Sequence, residues 1–269
     1  MLITLIIICL ILCGGFILAV MGRRNNPGLE AIRGWAYAHR GLHDRNHPEN
    51  SLSAFRAAVK AGYGSELDVH LLADGNLAVI HDSDLKRTTG MEGKVEDLTA
   101  EDLKNYYLEG TLETIPTLPQ VLEVYEGKAP LIIELKSADN NHDKLAETVC
   151  RTLAGYRGAY CLESFDPRCL LWLKKHRPSI LRGQLTENFM IGTSSVSWFL
   201  RFAMTHQLGN FLTMPDFVAY RFTDRLTISN TILRSIWDVQ GVTWTLQNKH
   251  EYETAIEEDW IPIFENFLP

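Results

Sequence analysis

The chain has 269 residues, 46% of them hydrophobic, which is enough to bury one large core in one or two domains. A formal charge of −7 excludes the broadly basic surface of a nucleic-acid binder, although it says nothing against one local basic cleft. Among the five cysteines, Cys9 and Cys13 lie in an N-terminal apolar run, while Cys150, Cys161 and Cys169 are scattered without metal-ligand spacing and read as reduced, mostly buried thiols.

Leu2 to Val20 carries no charged side chain and is long enough to cross a hydrocarbon core of about 30 Å. Met21-Gly22-Arg23-Arg24 stops it. A cleaved signal peptide would want basic residues ahead of the run and a small-x-small site behind it, and neither is present. Leu12 precedes Cys13, so a lipoprotein signal is also poorly matched. Residues 1–22 are therefore expected to be a single-span anchor and 23–34, with Asn25-Asn26-Pro27-Gly28, a linker. Arg23, Arg24 and Arg33 on the C-terminal side favour a cytoplasmic placement of the folded domain, residues 35–269.

Trp35-Ala36-Tyr37-Ala38-His39 is a short apolar run. A helix is expected to start near Asn50 or Ser51, with Leu52, Phe55, Ala58 and Val59 on one face and Gly62 as terminator. Ser65-Glu66-Leu67-Asp68-Val69-His70 reads as a strand with Glu66, Asp68 and His70 on one face and Leu67, Val69 and Leu71 on the other. Asp74-Gly75 is a hairpin signal, and Leu77 to His81 returns. Residues 83–114 are polar and charged, an insertion with one helix expected at Thr99 to Tyr107. Further helices are expected at Thr117 to Tyr125, Asp143 to Leu153, Pro167 to Lys175, Ser195 to His206, Ser229 to Trp237 and His250 to Glu258. Strands are expected at Leu131 to Lys136, Ala159 to Ser164, Leu181 to Leu185, Phe211 to Met214, Val242 to Leu246 and Ile261 to Phe264.

Strand ends at His39, Asp68, Glu134, Ser164, Leu185, Met214, Leu246 and Phe264 make eight, mostly separated by helices. This α/β alternation implies a parallel sheet, and eight units imply a closed (β/α)8 TIM barrel, with a doubly wound open sheet as the alternative. The ionisable residues gather at C-terminal strand ends, where a barrel carries its active site, which supports closure.

Three carboxylates on neighbouring strands, Glu66, Asp68 and Glu134, form an oxygen-rich set suited to one divalent cation, Ca²⁺ or Mg²⁺. His39 and His81 end segments aimed at the same rim and suit an acid/base pair. Arg40 and Lys136 supply cations. Metal plus an Arg/Lys clamp is what phosphoryl chemistry requires, because charge spreads over the phosphate oxygens.

His39-Arg40-Gly41, Pro48-Glu49-Asn50-Ser51, Glu66-Leu67-Asp68-Val69, Asp74-Gly75, His81-Asp82 and Glu134-Leu135-Lys136, in this order and at these gaps, resemble the glycerophosphodiester phosphodiesterase family. The likeness is dense from Tyr37 to Lys136 and thins through Ser164-Phe165-Asp166 and Trp244-Thr245. It implies a TIM-barrel hydrolase that cuts glycerophosphodiesters to sn-glycerol 3-phosphate and an alcohol with one divalent cation, Mn²⁺ also being suitable. It also implies Glu66, Asp68 and Glu134 as metal ligands, His39 and His81 as acid and base, and Arg40 and Lys136 on the phosphate. Glu49 and Asn50 match a helix-opening motif, where Asn50 doubles as a candidate helix cap; Phe165 and Trp244 fall at the substrate rim. The sequence departs from the family at its end. Asp259-Trp260-Ile261-Pro262-Ile263-Phe264-Glu265-Asn266 replaces the usual Gly-Asp-Gly-Ile strand and Thr-Asp-x-Pro, which puts any substrate contact from the last strand in doubt. Leu246-Gln247-Asn248 likewise follows the tryptophan where Val-Asn is usual. The apolar stretch from Ser195 to Met204 reads as an outer barrel helix, or as a membrane-facing lip through which a tethered enzyme takes lysophospholipids. Lysophospholipase D action and a catalytically silent lipid sensor are the competing functions; no protein partner is evident. His70 is expected to fill the barrel.

Overall fold

Parallel β-strands that alternate with helices bury both faces, and their inner faces close on themselves when eight repeats are present. The computed structural model describes residues 1–24, 26–192 and 196–269. Its strands are β1 (Tyr37–Ala38), β2 (Gly64–Leu71), β3 (Leu77–Val79), β4 (Leu131–Leu135), β5 (Tyr160–Ser164), β6 (Arg182–Thr186), β7 (Phe217–Arg221), β8 (Gln240–Leu246) and β9 (Trp260–Phe264). They pair in the order β1-β9-β8-β7-β6-β5-β4-β2, and β1 pairs back onto β2. All eight of these pairings are parallel, so the sheet is a closed (β/α)8 barrel. The short β3 lies outside it, antiparallel to β2.

The helices are α1 (Leu2–Ala19), α2 (Leu52–Ala61), α3 (Lys86–Thr89), α4 (Leu118–Tyr125), α5 (His142–Leu153), α6 (Pro167–His176), α7 (Trp198–Thr205), α8 (Asn210–Thr213), α9 (Ile228–Ser235) and α10 (Lys249–Glu257). Ser51 opens α2 by accepting a hydrogen bond from Ala54 N (3.1 Å), and Gly62 closes it in the left-handed conformation. Asn50 is thus not the cap; its amide is used elsewhere. Outward-facing Leu67, Val69, Ile133, Leu135 and Leu162 pack under α2, α4, α5 and α6. Inside the barrel, alternation sends apolar Tyr37, Ile132 and Cys161 to the floor and ionisable His39, Glu134 and Glu163, two positions on, to the top.

Two local expectations fail. Phe211–Met214 is not a strand: α8 occupies Asn210–Thr213, and the sixth barrel strand is β7, Phe217–Arg221. A run of four residues, three of them apolar, is too short for its period to separate strand from helix. Met214 in the left-handed conformation followed by Pro215 is instead a helix-ending signal. Thr99–Tyr107 holds only a 3₁₀ turn at Asp102–Asn105. Ser195, expected to open the helix seen at α7, lies outside the described residues.

The segment expected as a linker is packed. Residues Pro27–Ala31 form a 3₁₀ turn, and Leu29 and Ile32 are buried against Leu181 and Phe217 on the barrel floor. Asp216, fully buried, accepts hydrogen bonds from Arg23 (2.7 Å), Asn26 (2.8 Å) and Arg182 N (2.9 Å). α1 is 18 residues long with mean hydropathy 3.0, sufficient by length and composition to cross a membrane. Its last turns touch the barrel: Val20 is fully buried, Phe16 meets His206 edge-on, and Trp237 Nε1 donates to Ile17 O at 2.9 Å.

Candidate active site

β1 delivers His39 and Arg40 to the top of the barrel. Arg40 and Gly41 both take positive φ, +55° and +82°, which turns the chain sharply after the strand. A Cβ at Gly41 would approach Ala54 Cβ to 2.9 Å, so glycine is required both by backbone conformation and by the close passage of α2. Asn50 N donates to Arg40 O (2.8 Å), and Asn50 Nδ2 donates to Asp68 Oδ2 (2.9 Å). The residue expected to cap a helix therefore fixes a carboxylate.

β2 and β4 are paired in a register that sets Glu66 beside Ile132 and Asp68 beside Glu134. Glu66, Asp68 and Glu134 are all buried, with one ligand-capable oxygen from each lying within 4.8 Å of the others. Burial together with the Asp68 and Glu134 charges pushes Glu66 well above the usual carboxylate range. Burial and Asp68 likewise raise Glu134. Burial works against an ionised Asp68 too, but Lys136 and Arg40 overcome it and hold this carboxylate far below its ordinary value. Lys136 Nζ stands 3.2 Å from Asp68 and 3.1 Å from Glu134, and Arg40 Nε is 3.4 Å from Asp68.

The two histidines share one arrangement. His39 Nδ1 is 2.7 Å from Glu265, and His81 Nδ1 is 2.6 Å from Asp82. A neutral imidazole bonded this way carries its proton on Nδ1 and leaves Nε2 as a free base. His39 Nε2 points back toward Glu66, at 3.9 Å. Desolvation lowers the pKa of both histidines; Glu265 opposes it at His39, and Asp68 and Asp82 oppose it at His81.

A cation–carboxylate chain ties these parts together. Arg40 bonds Glu49 at 3.1 Å, Arg87 of α3 bonds Glu49 at 2.6 Å, and Arg87 also bonds Asp82. The insertion thus braces the His81 side of the site. His70 neither fills the barrel nor enters the cavity: Nδ1 meets Glu96 at 2.7 Å and Nε2 meets the His81 carbonyl at 3.1 Å. It fastens the insertion to the backbone of His81.

His39, Arg40, Glu66, His81 and Glu134 line one cavity of about 210 Å³, closed on its other side by Phe165, Leu185, Trp244 and Ile263. Phe165 and Trp244 meet edge-to-face at 5.9 Å. The eleven positions expected from sequence are brought together at this mouth, with Asp68, Asn50, Glu49 and Lys136 just behind the cavity wall. Sequence reasoning missed Glu265, although an acidic side chain at the end of the last strand was the visible signal. It also missed Glu163, opposite Glu134 in the β4–β5 register, which burial and Glu134 push well above the carboxylate range.

Such a set, three buried carboxylates beside two carboxylate-held histidines and two cations in the mouth of a (β/α)8 barrel, is an ionisable site of the kind a hydrolase carries at the C-terminal ends of its strands. Residues 39–264 match the glycerophosphoryl diester phosphodiesterase family, and the chain belongs to it. A glycerophosphodiester phosphodiesterase from Bacillus altitudinis is 43% identical over 161 residues, 56% of this chain and 65% of that protein. The aligned stretch is thus just under two thirds of that relative's length. A phosphodiesterase from Oleispira antarctica, solved with the product sn-glycerol 3-phosphate, superposes with TM-score 0.71 at 20% identity, covering 88% of this chain and 94% of that one. A glycerophosphodiester phosphodiesterase from Thermotoga maritima gives 0.64 at 27% identity, covering 85% and 93%.

Proposed function

We propose that this chain is a membrane-anchored, divalent-metal-dependent glycerophosphodiester phosphodiesterase. The carrying observation is the buried trio Glu66, Asp68 and Glu134, two of which share one cavity with His39 and His81. The donor chemistry fits a hard cation: three carboxylate oxygens are close enough to share one ion, and without it the protein must protonate or neutralise them. Lys136 and the raised Glu66 and Glu134 pKa values are that neutralisation. Glu66, Asp68 and Glu134 would hold the cation, which when bound supplies positive charge to a non-bridging phosphate oxygen.

The remaining chemistry belongs to the side chains. Arg40, whose buried Nε lacks a hydrogen-bond partner, and Lys136 offer the phosphodiester two further positive charges. The anion in turn favours the protonated form of a nearby imidazole, offsetting the downward shift that burial imposes. One histidine takes a proton from the attacking hydroxyl at Nε2, and the other gives one to the departing alkoxide. Asp82 and Glu265 hold the imidazoles in the required tautomer and stabilise the imidazolium that forms. The net reaction is a glycerophosphodiester plus water to sn-glycerol 3-phosphate plus an alcohol. The P–O bond to the alcohol breaks, and a P–O bond from water replaces it.

Contacts of Phe16, Ile17 and Val20 with the barrel support α1 as a retained anchor, because a peptide cleaved after export would leave their partners bare. The arginines after it favour a cytoplasmic barrel. Asp68→Ala tests the metal assignment: circular dichroism and thermal unfolding remain those of a folded barrel, while hydrolysis of glycerophosphocholine is lost. Full activity in this variant refutes the assignment.

A further inference from the structure

A second cavity, of about 280 Å³, lies between β6 and α7 beside the one just described. Among the described residues, Phe165 and Leu185 line both cavities. Its polar side chains are spent within the protein. Gln184 Nε2 donates to the carbonyls of Ser164 (3.1 Å) and Leu185 (3.1 Å), Thr186 Oγ1 to Met204 O (3.1 Å), and Gln207 Nε2 to Asn230 (2.7 Å). Asn210 Nδ2 likewise donates to Gln207 Oε1 (3.1 Å), and Leu185, Phe189, Leu200, Ala203 and Met204 make the remaining described lining largely apolar.

The outer lip of this cavity is apolar and exposed. Trp198, Phe199 and Leu200 on α7 are 64%, 70% and 50% accessible, far above what a barrel helix buried on its sheet requires. Rings then run in sequence from the lip to the anchor. Trp198 stacks on Phe202 at 5.4 Å, Phe202 meets His206 at 4.5 Å, and His206 meets Phe16 of α1 at 6.1 Å. The exposed face of α7 is therefore continuous with a helix able to cross a bilayer, and amphipathic helices carrying Trp, Phe and Leu settle at its interface.

We infer that the cavity between β6 and α7 receives the acyl chain of a monoacyl glycerophosphodiester, a lysophospholipid drawn from the bilayer, whose phosphodiester lies among His39, His81 and the carboxylates. This deepens the proposed function and rests on it. The glycerol carbons join the two ends of such a molecule, so its polar part meets the charged cavity and its chain meets the apolar one. Phe165 and Leu185, which line both cavities, are the described side chains at the junction.

The full chain in detergent is assayed for choline release from glycerophosphocholine, from micellar palmitoyl lysophosphatidylcholine, and from hexanoyl lysophosphatidylcholine below its micellar concentration. Ala203→Trp fills the cavity. Leu200→Asp, at a half-exposed site that tolerates the charge without unfolding, spoils its lip. Both variants are expected to lower kcat/KM on both lysolipids by about tenfold or more while leaving glycerophosphocholine unchanged, since a pocket discriminates apolar groups on that scale. Unchanged glycerophosphocholine cleavage also shows that the variants fold. Equal losses on all three substrates, or none on either lysolipid, overturn the inference. Loss confined to the micellar substrate assigns α7 to docking on the bilayer and overturns the chain pocket. A wild-type enzyme that cleaves glycerophosphocholine and neither lysolipid defeats this inference alone, whereas one that cleaves none of the three defeats the reading beneath it.

Discussion

Glu265→Gln separates the positioning of His39 from its presence. The 2.7 Å contact with His39 Nδ1 joins two side chains that are 13% and 20% exposed, so water screens it only in part. A hydrogen bond to a charged partner contributes about 1.5–3 kcal/mol. Glutamine retains a neutral acceptor, which discounts the loss toward the lower end of that range. Loss of the charge that stabilises the His39 imidazolium perturbs the proton transfer by that amount, and kcat falls about ten- to thirtyfold. The pH profile changes with a defined sign. Glu265 raises the His39 pKa against the stronger effect of burial, so its neutralisation lowers that pKa further. The limb of the kcat/KM profile governed by His39 therefore moves to lower pH, whether the residue acts as acid or as base. Steady-state assays of glycerophosphocholine hydrolysis across the acid-to-neutral range read both effects. A variant with wild-type kcat and unmoved limbs refutes the pairing of Glu265 with His39 as a determinant of turnover.

Asp216→Ala removes a fully buried carboxylate that holds Arg23, Asn26 and the Arg182 amide; the loss of such a partner costs about 3 kcal/mol or more, read as a lowered thermal midpoint, and an unchanged midpoint would contradict the packing of residues 23–34 on the barrel floor. Glu66→Gln is expected to abolish hydrolysis yet stabilise the metal-free protein at neutral pH. The folded pKa of Glu66 lies above its unfolded value, so the folded state binds the extra proton between the two, and stability declines as pH rises through that window. Urea unfolding of the metal-free wild type and variant should thus converge at acidic pH and separate toward neutrality, and a variant less stable than wild type at neutral pH would show that the carboxylate is not the strained group.

Most of the barrel was legible because its signals are local. The Glu66–Leu67–Asp68 alternation, the β-branched run of β4 and the helical stripe of α2 each fix an element without help from the rest of the chain. The sixth barrel strand, β7, was not, because Phe211–Met214 and Phe217–Arg221 are both short, largely apolar runs, and only the turn at Met214-Pro215 tells which one enters the sheet. The site residues from His39 to Lys136 could be read from their ordered motifs. Glu265 showed only as an acidic side chain at the end of the last strand, since its pairing comes from barrel closure, which brings the end of β9 against β1 across 226 residues of chain. The roles of His70 and Arg87 were hidden for a related reason. Arg87 lies in the insertion and His70 contacts it, and the irregular backbone of that segment has no period to reveal where it folds back.

The most direct test of the central claim is product formation by the purified full chain. With Ca²⁺, Mg²⁺ or Mn²⁺ supplied, glycerophosphocholine should yield sn-glycerol 3-phosphate and choline in equal amounts. Excess chelator should stop the reaction, and restoring the cation should revive it. Undiminished turnover in chelator, or no product with any of the three cations, would contradict a metal-dependent glycerophosphodiesterase built on Glu66, Asp68 and Glu134.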